Sequence, residues 1–193
     1  MKIEEIFVGP ERDRFINDKK DRFDKPQPVA KISDFFLKKV ARDNTIEYGL
    51  LNQNHKLVAY LGLEERQNNR YMVTYTEVVP EIRGHGYGTF LYDYAIMNDQ
   101  LEILSDTRQT PHAQSLWRKF RTYKKFHVVP YNLLTNKEEL DKTEDDVYNS
   151  DNLVWLAKGN GETINEALTR INNRHRGASW EVLWYGPFVN NEY

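Results

Sequence analysis

The sequence predicts a mixed α/β fold, because strand-like and helix-like segments alternate through the middle of the chain. The strand-like segment Tyr71 to Val79 leads into a glycine-rich run, and the amphipathic helix-like segment Thr89 to Asp99 follows that run. A short apolar strand candidate, Leu101 to Leu104, comes next, and a second amphipathic helix follows it. Because the 193 residues are 39% hydrophobic and 29% charged, we expect one globular domain over 1–193 with a sizeable core.

The first 45 residues are predicted to form a mainly helical N-terminal part. A mixed-charge helical or loop segment covers 1–25, and Pro26 and Pro28 break the chain after it. An amphipathic helix is predicted over 31–43 from the apolar residues Ile32, Phe35, Phe36, Val40 and Ala41.

A β-hairpin is predicted after this helical part. Ile46 to Leu51 and Lys56 to Leu63 are strand-like, and the polar residues 52–55 between them are typical of a hairpin turn. A polar turn over 64–70 then leads to the strand Tyr71 to Val79. Three consecutive strands are therefore expected before the glycine-rich run.

Residues 136–193 are predicted to be a C-terminal extension, which either lies against the core or completes a substrate site. The segments expected from residue 127 onward are strands at His127 to Leu134 and Asn152 to Lys158, an exposed acidic loop at 138–151, a helix at Thr163 to Asn173, and a closing strand at Trp180 to Tyr185.

The composition excludes several classes of function. The chain has no cysteine, which rules out disulfides, thiolate metal sites and a cysteine nucleophile. Its five histidines show no metal-ligand spacing, so no metal site is expected. Residues 1–20 hold no apolar leader and no later run reaches membrane-spanning length, so we expect a cytoplasmic protein without a membrane partner. The net charge of −2 does not favour nucleic acid as a partner.

The glycine-rich run carries three glycines at alternate positions, Gly84, Gly86 and Gly88, between a strand and a helix. Glycine allows positive φ, so that successive backbone N–H groups can turn toward one point. The start of the following helix adds unpaired N–H groups and the positive end of the helix dipole. Such a site binds phosphate or pyrophosphate, although the same residues could also form an ordinary glycine-rich turn.

The spacing of the glycines distinguishes between the known types of phosphate-binding loop. A dinucleotide-binding fingerprint would need a third glycine at position 89, which is Thr89, and a Walker loop would need a lysine that the run lacks. What remains is Arg-x-x-Gly-x-Gly, formed by Arg83, Gly86 and Gly88 after Val79 and Pro80. This pattern resembles the coenzyme A pyrophosphate loop of the GNAT superfamily of N-acetyltransferases.

A second motif strengthens the resemblance. After Leu101 to Leu104, Thr110 is predicted to be a helix N-cap with Pro111 in the first helical position. In GNAT proteins the corresponding helix often reads Asn-x-x-Ala-x-x-Leu-Tyr-x-Lys-x-Gly-Phe. The matching residues here are Thr110, Ala113, Leu116, Trp117, Lys119 and, after an insertion, Phe126. The resemblance covers about 46–134 and implies a mixed sheet of six or seven strands flanked by helices.

The resemblance also implies a cofactor, acetyl-CoA, which enters where the fourth and fifth strands splay apart. The loop residues expected at its pyrophosphate are Arg83, Gly84, His85, Gly86, Tyr87, Gly88 and Thr89, with the His85 side chain facing solvent. Val79 would offer backbone hydrogen bonds to the pantetheine arm or to the thioester oxygen. Thr110 and Trp117 are expected beside the pantetheine, although Trp117 is equally compatible with core packing.

The implied reaction is direct acyl transfer to an amine, which needs a base. Glu77 is the first candidate and Asp106 the second, and Ser105 is expected near the thioester. Glu77 could instead be a solvent-facing strand carboxylate, and Asp106 a loop or capping residue. Many relatives place a tyrosine at the position of Trp117 to protonate the departing thiolate; here water or the hydroxyl of Tyr92, Ser105 or Tyr123 would have to serve.

The function implied by the resemblance is acetyl-CoA-dependent N-acetylation of a primary amine on a small molecule or a protein. Two alternatives stay open: a GNAT-fold protein that modifies nucleic acid bases, with basic residues at 118–125 and 170–176, and a non-catalytic binding module. The residues at 104–106, 109–111 and 116–117 resemble those of phage-encoded GNAT proteins, which would place the protein in the host cytoplasm. A homodimer is compatible with all three.

Overall fold

Nine strands form one mixed sheet in the computed structural model, which describes residues 19–160 except positions 33 and 68. The strands are β1 (Pro28–Ile32), β2 (Phe35–Arg42), β3 (Thr45–Leu51), β4 (Leu57–Gln67), β5 (Arg70–Val78), β6 (Glu102–Leu104), β7 (Phe126–Asn132), β8 (Lys137–Glu138) and β9 (Leu153–Gly159). The helices are α1 (Tyr87–Asp93), which continues as a π-helical turn over Tyr94–Asn98, α2 (Pro111–Arg121) and α3 (Glu144–Tyr148). Short 3₁₀ turns cover Asp21–Phe23 and Pro80–Ile82.

The strand order is β1-β2-β3-β4-β5-β6-β9-β7-β8. The first five strands pair antiparallel in sequence, β6 is parallel to β5, and β9 returns antiparallel between β6 and β7. The predicted α/β class with a mixed sheet is confirmed, with nine strands in the described residues where six or seven were expected. The predicted hairpin at 46–63 is confirmed as β3 and β4.

The helix predicted over 31–43 is wrong, because these residues form the end of β1 and all of β2. β2 pairs with β3 along its length, from Phe36 opposite Leu51 to Arg42 opposite Thr45. The apolar residues of this segment satisfy a strand as well as a helix, and the pairing with β3 decides between the two. The described part of the predicted helical region 1–45 is therefore mostly strand.

Two predicted loops are also corrected. β4 runs to Gln67 and β5 begins at Arg70, so the turn is shorter than the predicted 64–70. The acidic segment 138–151 is not simply a loop, because it contains the end of β8 and all of α3. Thr143 begins α3 with a capping box, in which its hydroxyl accepts from the Asp146 amide and the Asp146 carboxylate accepts from the Thr143 amide.

The helices α1 and α2 pack on one face of the sheet. Phe90, Leu91 and Tyr92 of α1 and Trp117 and Phe120 of α2 belong to one buried cluster with the strands. A second buried cluster lies around β5, β6, β7 and β9 and consists of Met72, Leu104, Val129, Tyr131, Val154 and Leu156. The two clusters bury both sides of the sheet where β5 meets β6.

Some predictions concern parts of the chain that the structure does not describe. Residues 1–18, the predicted helix at Thr163 to Asn173 and the predicted strand at Trp180 to Tyr185 lie outside the described residues. The single domain over 1–193 stays a prediction. Within the described part of the chain, no helix has the length and apolar character needed to cross a membrane.

Candidate active site

β5 runs well beyond the last residue of its parallel neighbour β6. They pair in parallel only from Arg70 opposite Glu102 to Met72 opposite Leu104, although β5 continues to Val78. Opposite β4, the register of β5 shifts by one residue at Thr74, which is a β-bulge. A bulge bends its strand and increases the local twist. Among residues 19–160, the second half of β5 therefore has no paired strand on its β6 side, and we call the space between it and the chain that leaves β6 the gap.

The glycine-rich loop begins where β5 ends. Val79 donates its N–H to the Val58 carbonyl at 2.9 Å, and its own carbonyl accepts from the Ile82 amide at 3.2 Å. The 3₁₀ turn Pro80–Ile82 follows, and then two glycines take left-handed conformations, Gly84 at φ 79° and Gly86 at φ 91°. A Cβ atom added at either glycine would meet no atom within 4 Å. The outer surface of this loop is therefore open backbone.

The start of α1 completes the loop. Gly86 is the N-cap, and no side chain caps the helix. The first-turn amides of Tyr87, Gly88 and Thr89 thus lack the intrahelical partners that later amides have, and Phe90 makes the first such bond, to the Gly86 carbonyl at 2.9 Å. A Cβ at Gly88 would lie 3.2 Å from Val78 Cγ2, so Gly88 lets the helix pack closely on β5. The arrangement has the donors and the dipole direction that bind an anion.

The side chain of Arg83 turns back to the strand. Its Nε donates to the Val78 carbonyl at 2.9 Å, and a terminal nitrogen pairs with Glu77 Oε1 at 2.6 Å. The Tyr75 hydroxyl donates to the other oxygen of Glu77 at 3.3 Å. The carboxylate of Glu77 is only 15% exposed, so it is not the solvent-facing strand residue of the alternative interpretation.

Ser105 and Asp106 lie at the exit of β6. The fully buried Ser105 hydroxyl donates to the Asp106 carbonyl and accepts from the Gln109 side chain at 2.9 Å and from the Trp155 amide at 3.0 Å. The bond from Trp155 ties the exit of β6 to β9, the other two fix the loop after β6, and together the three favour a structural role. Asp106 Oδ1 accepts from the Arg108 amide at 3.3 Å, as expected of a capping residue.

A cavity of about 600 Å³ lies beside Asp106. Its walls include Arg66, Arg70, Met72, Leu104, Asp106 and Tyr131. Met72 and Leu104 belong to the second buried cluster, so this cavity opens on the face of the sheet opposite α1 and α2. Side chains alternate along a strand, and across the bulge at Thr74 the alternation directs Glu77 to this same face.

On the helix-covered face, a tyrosine meets β5 beyond its last pairing with β6. The Tyr92 hydroxyl lies 2.9 Å from Thr76 Oγ1, and Tyr92 is 2% exposed. Burial raises the pKa of Tyr92 to about 12; Thr76 lowers it and the negative charge of Asp106 raises it further. Trp117 packs edge-on against the Tyr92 ring, with centroids 6.2 Å apart. The sequence offered no sign that Thr76 would contact Tyr92, since that contact depends on how α1 packs.

The remaining predicted cofactor residues are placed as follows. Thr110 is the N-cap of α2, as predicted, and its hydroxyl accepts from the Ala113 amide at 3.2 Å. Trp117 is 2% exposed and lies in the core. His85 is exposed, with its ring centroid 6.4 Å from that of Tyr87. No cluster of metal-ligating side chains occurs among residues 19–160, apart from the two undescribed positions.

A strand that runs beyond its parallel neighbour, followed by an open glycine loop and a helix, agrees with the arrangement that the sequence resemblance implied. The model of the family described as the acetyltransferase (GNAT) family matches residues 12–121, which is more than half of the chain. The chain belongs to this family, whose members use acetyl-CoA. The match begins well before residue 46, where the resemblance first becomes visible.

Solved acetyltransferases are similar to the chain at low identity. A nourseothricin acetyltransferase is 13% identical, with 74% of this chain and 93% of that chain covered and a TM-score of 0.38. A Bacillus anthracis acetyltransferase in complex with acetyl coenzyme A is 15% identical, with 74% and 92% covered and a TM-score of 0.39. The Escherichia coli ribosomal-protein-S18-alanine N-acetyltransferase is 14% identical, with 64% and 74% covered and a TM-score of 0.37. Such TM-scores carry no argument, so the family assignment rests on the sequence match. No curated protein sequence matches the chain.

Proposed function

We propose that this protein transfers an acetyl group from acetyl-CoA to a primary amine of a small molecule or a protein. The acceptor attacks the thioester directly while both substrates are bound. The observation that carries the proposal is the loop with its two positive-φ glycines, open to the outside, above the uncapped start of α1. The gap between β5 and β6 beside this loop gives an extended cofactor arm a route to the middle of the sheet.

The loop would hold the cofactor by backbone groups. The amides from Gly84 to Thr89 would donate to the pyrophosphate, and the dipole of α1 would favour its negative charge. Arg83 is engaged with Glu77, so its side chain fixes the shape of the loop. The Val79 carbonyl keeps a second lone pair for the pantetheine arm, because a carbonyl oxygen can accept two hydrogen bonds.

The acceptor amine would approach from the face of the sheet opposite α1. Glu77 points to this face, and Asp106 lines the cavity there. The nitrogen of a neutral amine forms a bond to the thioester carbon, a carboxylate takes one amine proton directly or through water, and the carbon–sulfur bond breaks with its electron pair on sulfur. The products are an amide and coenzyme A, whose sulfur finally receives the equivalent of the amine proton.

Titration calorimetry of acetyl-CoA into the purified chain tests the cofactor assignment. Gly86→Val is expected to lose binding, but the positive φ of Gly86 also strains the variant. His85→Glu is the cleaner test, since His85 lies in the loop without positive φ. At about 6 Å in water, one added charge opposes a doubly charged pyrophosphate by about 1.4 kcal/mol, or about tenfold in affinity.

His127→Glu is the matched control for the loop variant. It makes the same charge change at an exposed position on β7, opposite Lys158 on β9. We expect it to leave the affinity for acetyl-CoA unchanged. Loss of affinity in both variants, or in neither, would contradict the loop assignment. Binding without turnover on a panel of diamines, amino acids and peptides would instead favour the non-catalytic module.

The partner and the cellular location stay predictions. An amine acceptor, a homodimer and a cytoplasmic setting are each compatible with the fold. The acceptor panel above and the mass of the protein in solution would test the first two.

A further inference from the structure

The departing thiolate of coenzyme A needs stabilisation, and the expected tyrosine is absent from its usual place. Trp117 occupies that position on α2, and an indole N–H is not an acid at neutral pH. Two of the other hydroxyls suggested by the sequence are poorly placed. The Ser105 hydroxyl already makes three hydrogen bonds within the protein. Tyr123 lies beyond the last residue of α2, and that helix end is already about 16 Å along the axis from Thr110.

Tyr92 is placed differently from both. Its hydroxyl contacts Thr76 on the part of β5 that has separated from β6. The negative charge of Asp106, at the exit of β6, contributes to raising the pKa of Tyr92. The Tyr92 ring also lies edge-on against Trp117. The hydroxyl therefore lies against the part of β5 beyond its pairing with β6, on the side covered by α1.

We propose that the Tyr92 hydroxyl donates the hydrogen bond that stabilises the departing coenzyme A sulfur, in place of a tyrosine at position 117. This role rests on the proposed function. As the carbon–sulfur bond breaks, the sulfur takes the electron pair and the phenol O–H points to it. In this arrangement the Thr76 hydroxyl donates to the phenol oxygen and holds the ring hydroxyl in place.

The chemistry of the phenol suits a hydrogen-bond donor better than a full proton donor. Burial raises the pKa of Tyr92 to about 12, so the hydroxyl keeps its proton at neutral pH. A simple thiol has a pKa of about 8.5, so complete transfer from the phenol to the thiolate would be uphill. The sulfur therefore receives its proton from the amine by way of the base and water, and Tyr92 keeps its own.

The pH dependence of coenzyme A binding tests the proposal without an acceptor. Free coenzyme A carries a thiol, and the desulfo analogue carries hydrogen in its place. If Tyr92 donates to the thiolate, the thiol of bound coenzyme A ionises at lower pH than the thiol of free coenzyme A. The affinity for coenzyme A then rises with pH until the free thiol also ionises. Between pH 6 and pH 9 we expect coenzyme A to gain about tenfold to hundredfold over the desulfo analogue, as hydrogen bonds to charged groups suggest.

Tyr92→Phe should abolish this pH-dependent gain and leave the affinity for the desulfo analogue unchanged. The matched control is Tyr94→Phe, a buried tyrosine on the π-helical turn that continues α1, which should keep the gain. Once an acceptor is found, kcat should fall in Tyr92→Phe and recover in the Tyr92→Phe/Trp117→Tyr double variant.

The outcomes separate this proposal from the proposed function. Wild-type protein that binds neither ligand contradicts the cofactor assignment itself. Wild-type protein that binds both with the same pH dependence keeps that assignment and overturns the role of Tyr92, even if Tyr92→Phe does not fold. An equal loss of the pH-dependent gain in Tyr92→Phe and Tyr94→Phe would also overturn it.

Discussion

Replacing each loop glycine by alanine should separate backbone strain from close packing. Gly84 and Gly86 have φ of 79° and 91°, and the left-handed region costs an L-residue about 1–2 kcal/mol. A methyl group there touches nothing within 4 Å, so no packing clash adds to the strain. Gly88 lies inside α1 at ordinary φ, where alanine gains up to about 1 kcal/mol of helix propensity.

Packing opposes that gain at Gly88. Its added Cβ would approach Val78 Cγ2 to 3.2 Å, so the Val78 side chain would have to shift by a few tenths of an ångström. We therefore expect Gly88→Ala to change the free energy of unfolding by less than about 1 kcal/mol in either direction. Gly84→Ala and Gly86→Ala should each lose about 1–2 kcal/mol.

Urea denaturation of the three alanine variants measures these changes in the free energy of unfolding. Calorimetry of acetyl-CoA with the same proteins measures their effect on cofactor binding. The methyl groups at 84 and 86 extend into the space where the pyrophosphate would lie, so both variants should bind the cofactor more weakly. The methyl group of Gly88→Ala points at β5, so the affinity of this variant for acetyl-CoA should be closer to that of the wild type.

Two results would refute the reasoning in different ways. If Gly86→Ala were as stable as the wild type, the left-handed conformation of the loop would be wrong. If Gly84→Ala and Gly86→Ala were destabilised but bound acetyl-CoA normally, the loop conformation would stand and the pyrophosphate would lie elsewhere.

Two further predictions concern carboxylates. Once an acceptor is known, comparing Glu77→Gln with Asp106→Asn decides which carboxylate is the base. Replacing the base by its amide should lower kcat about a hundredfold or more, with little change in the affinity for acetyl-CoA. Equal rates in both variants and the wild type would exclude both carboxylates. Burial by itself raises the pKa of Glu47, but the hydrogen bond from Tyr60 and the charges of Arg22 and Lys19 hold that pKa below its usual 4.5. A carboxylate whose pKa is lower in the folded state stabilises the fold at pH values above its unfolded-state pKa, and this stabilisation is lost as pH falls through the folded-state pKa. At pH values below about 4.5, the urea midpoint should therefore decrease less steeply in Glu47→Gln than in the wild type. Identical acid profiles would contradict this.

The local signals in the sequence predicted local structure well. Thr110 and Pro111 set the start of α2 because capping depends on neighbouring residues alone. The glycine run likewise predicted a loop with positive φ before a helix, and two of its three glycines have that conformation. Both features require only the residues within about one helical turn.

Long-range pairing was not visible in the sequence. The segment 31–43 has an apolar pattern that a helix and a strand share, and only the partner β3 makes it a strand. The bulge at Thr74 has no marker in the sequence, because it depends on the register between β4 and β5. The ion pair between Arg83 and Glu77 follows from the path of the loop and could not be read from spacing.

The bulge also explains how one strand could serve both halves of the proposed reaction. Beyond Thr74, successive residues of β5 point to opposite faces, so Thr76 faces Tyr92 and Glu77 faces the acceptor side. Both lie on the part of β5 beyond its last pairing with β6. Without the bulge the alternation would be reversed, and Glu77 would point toward α1. The register shift at Thr74 therefore sets which face each of these side chains occupies, and in the proposed reaction the amine would lie on the Glu77 face and the leaving sulfur on the Tyr92 face.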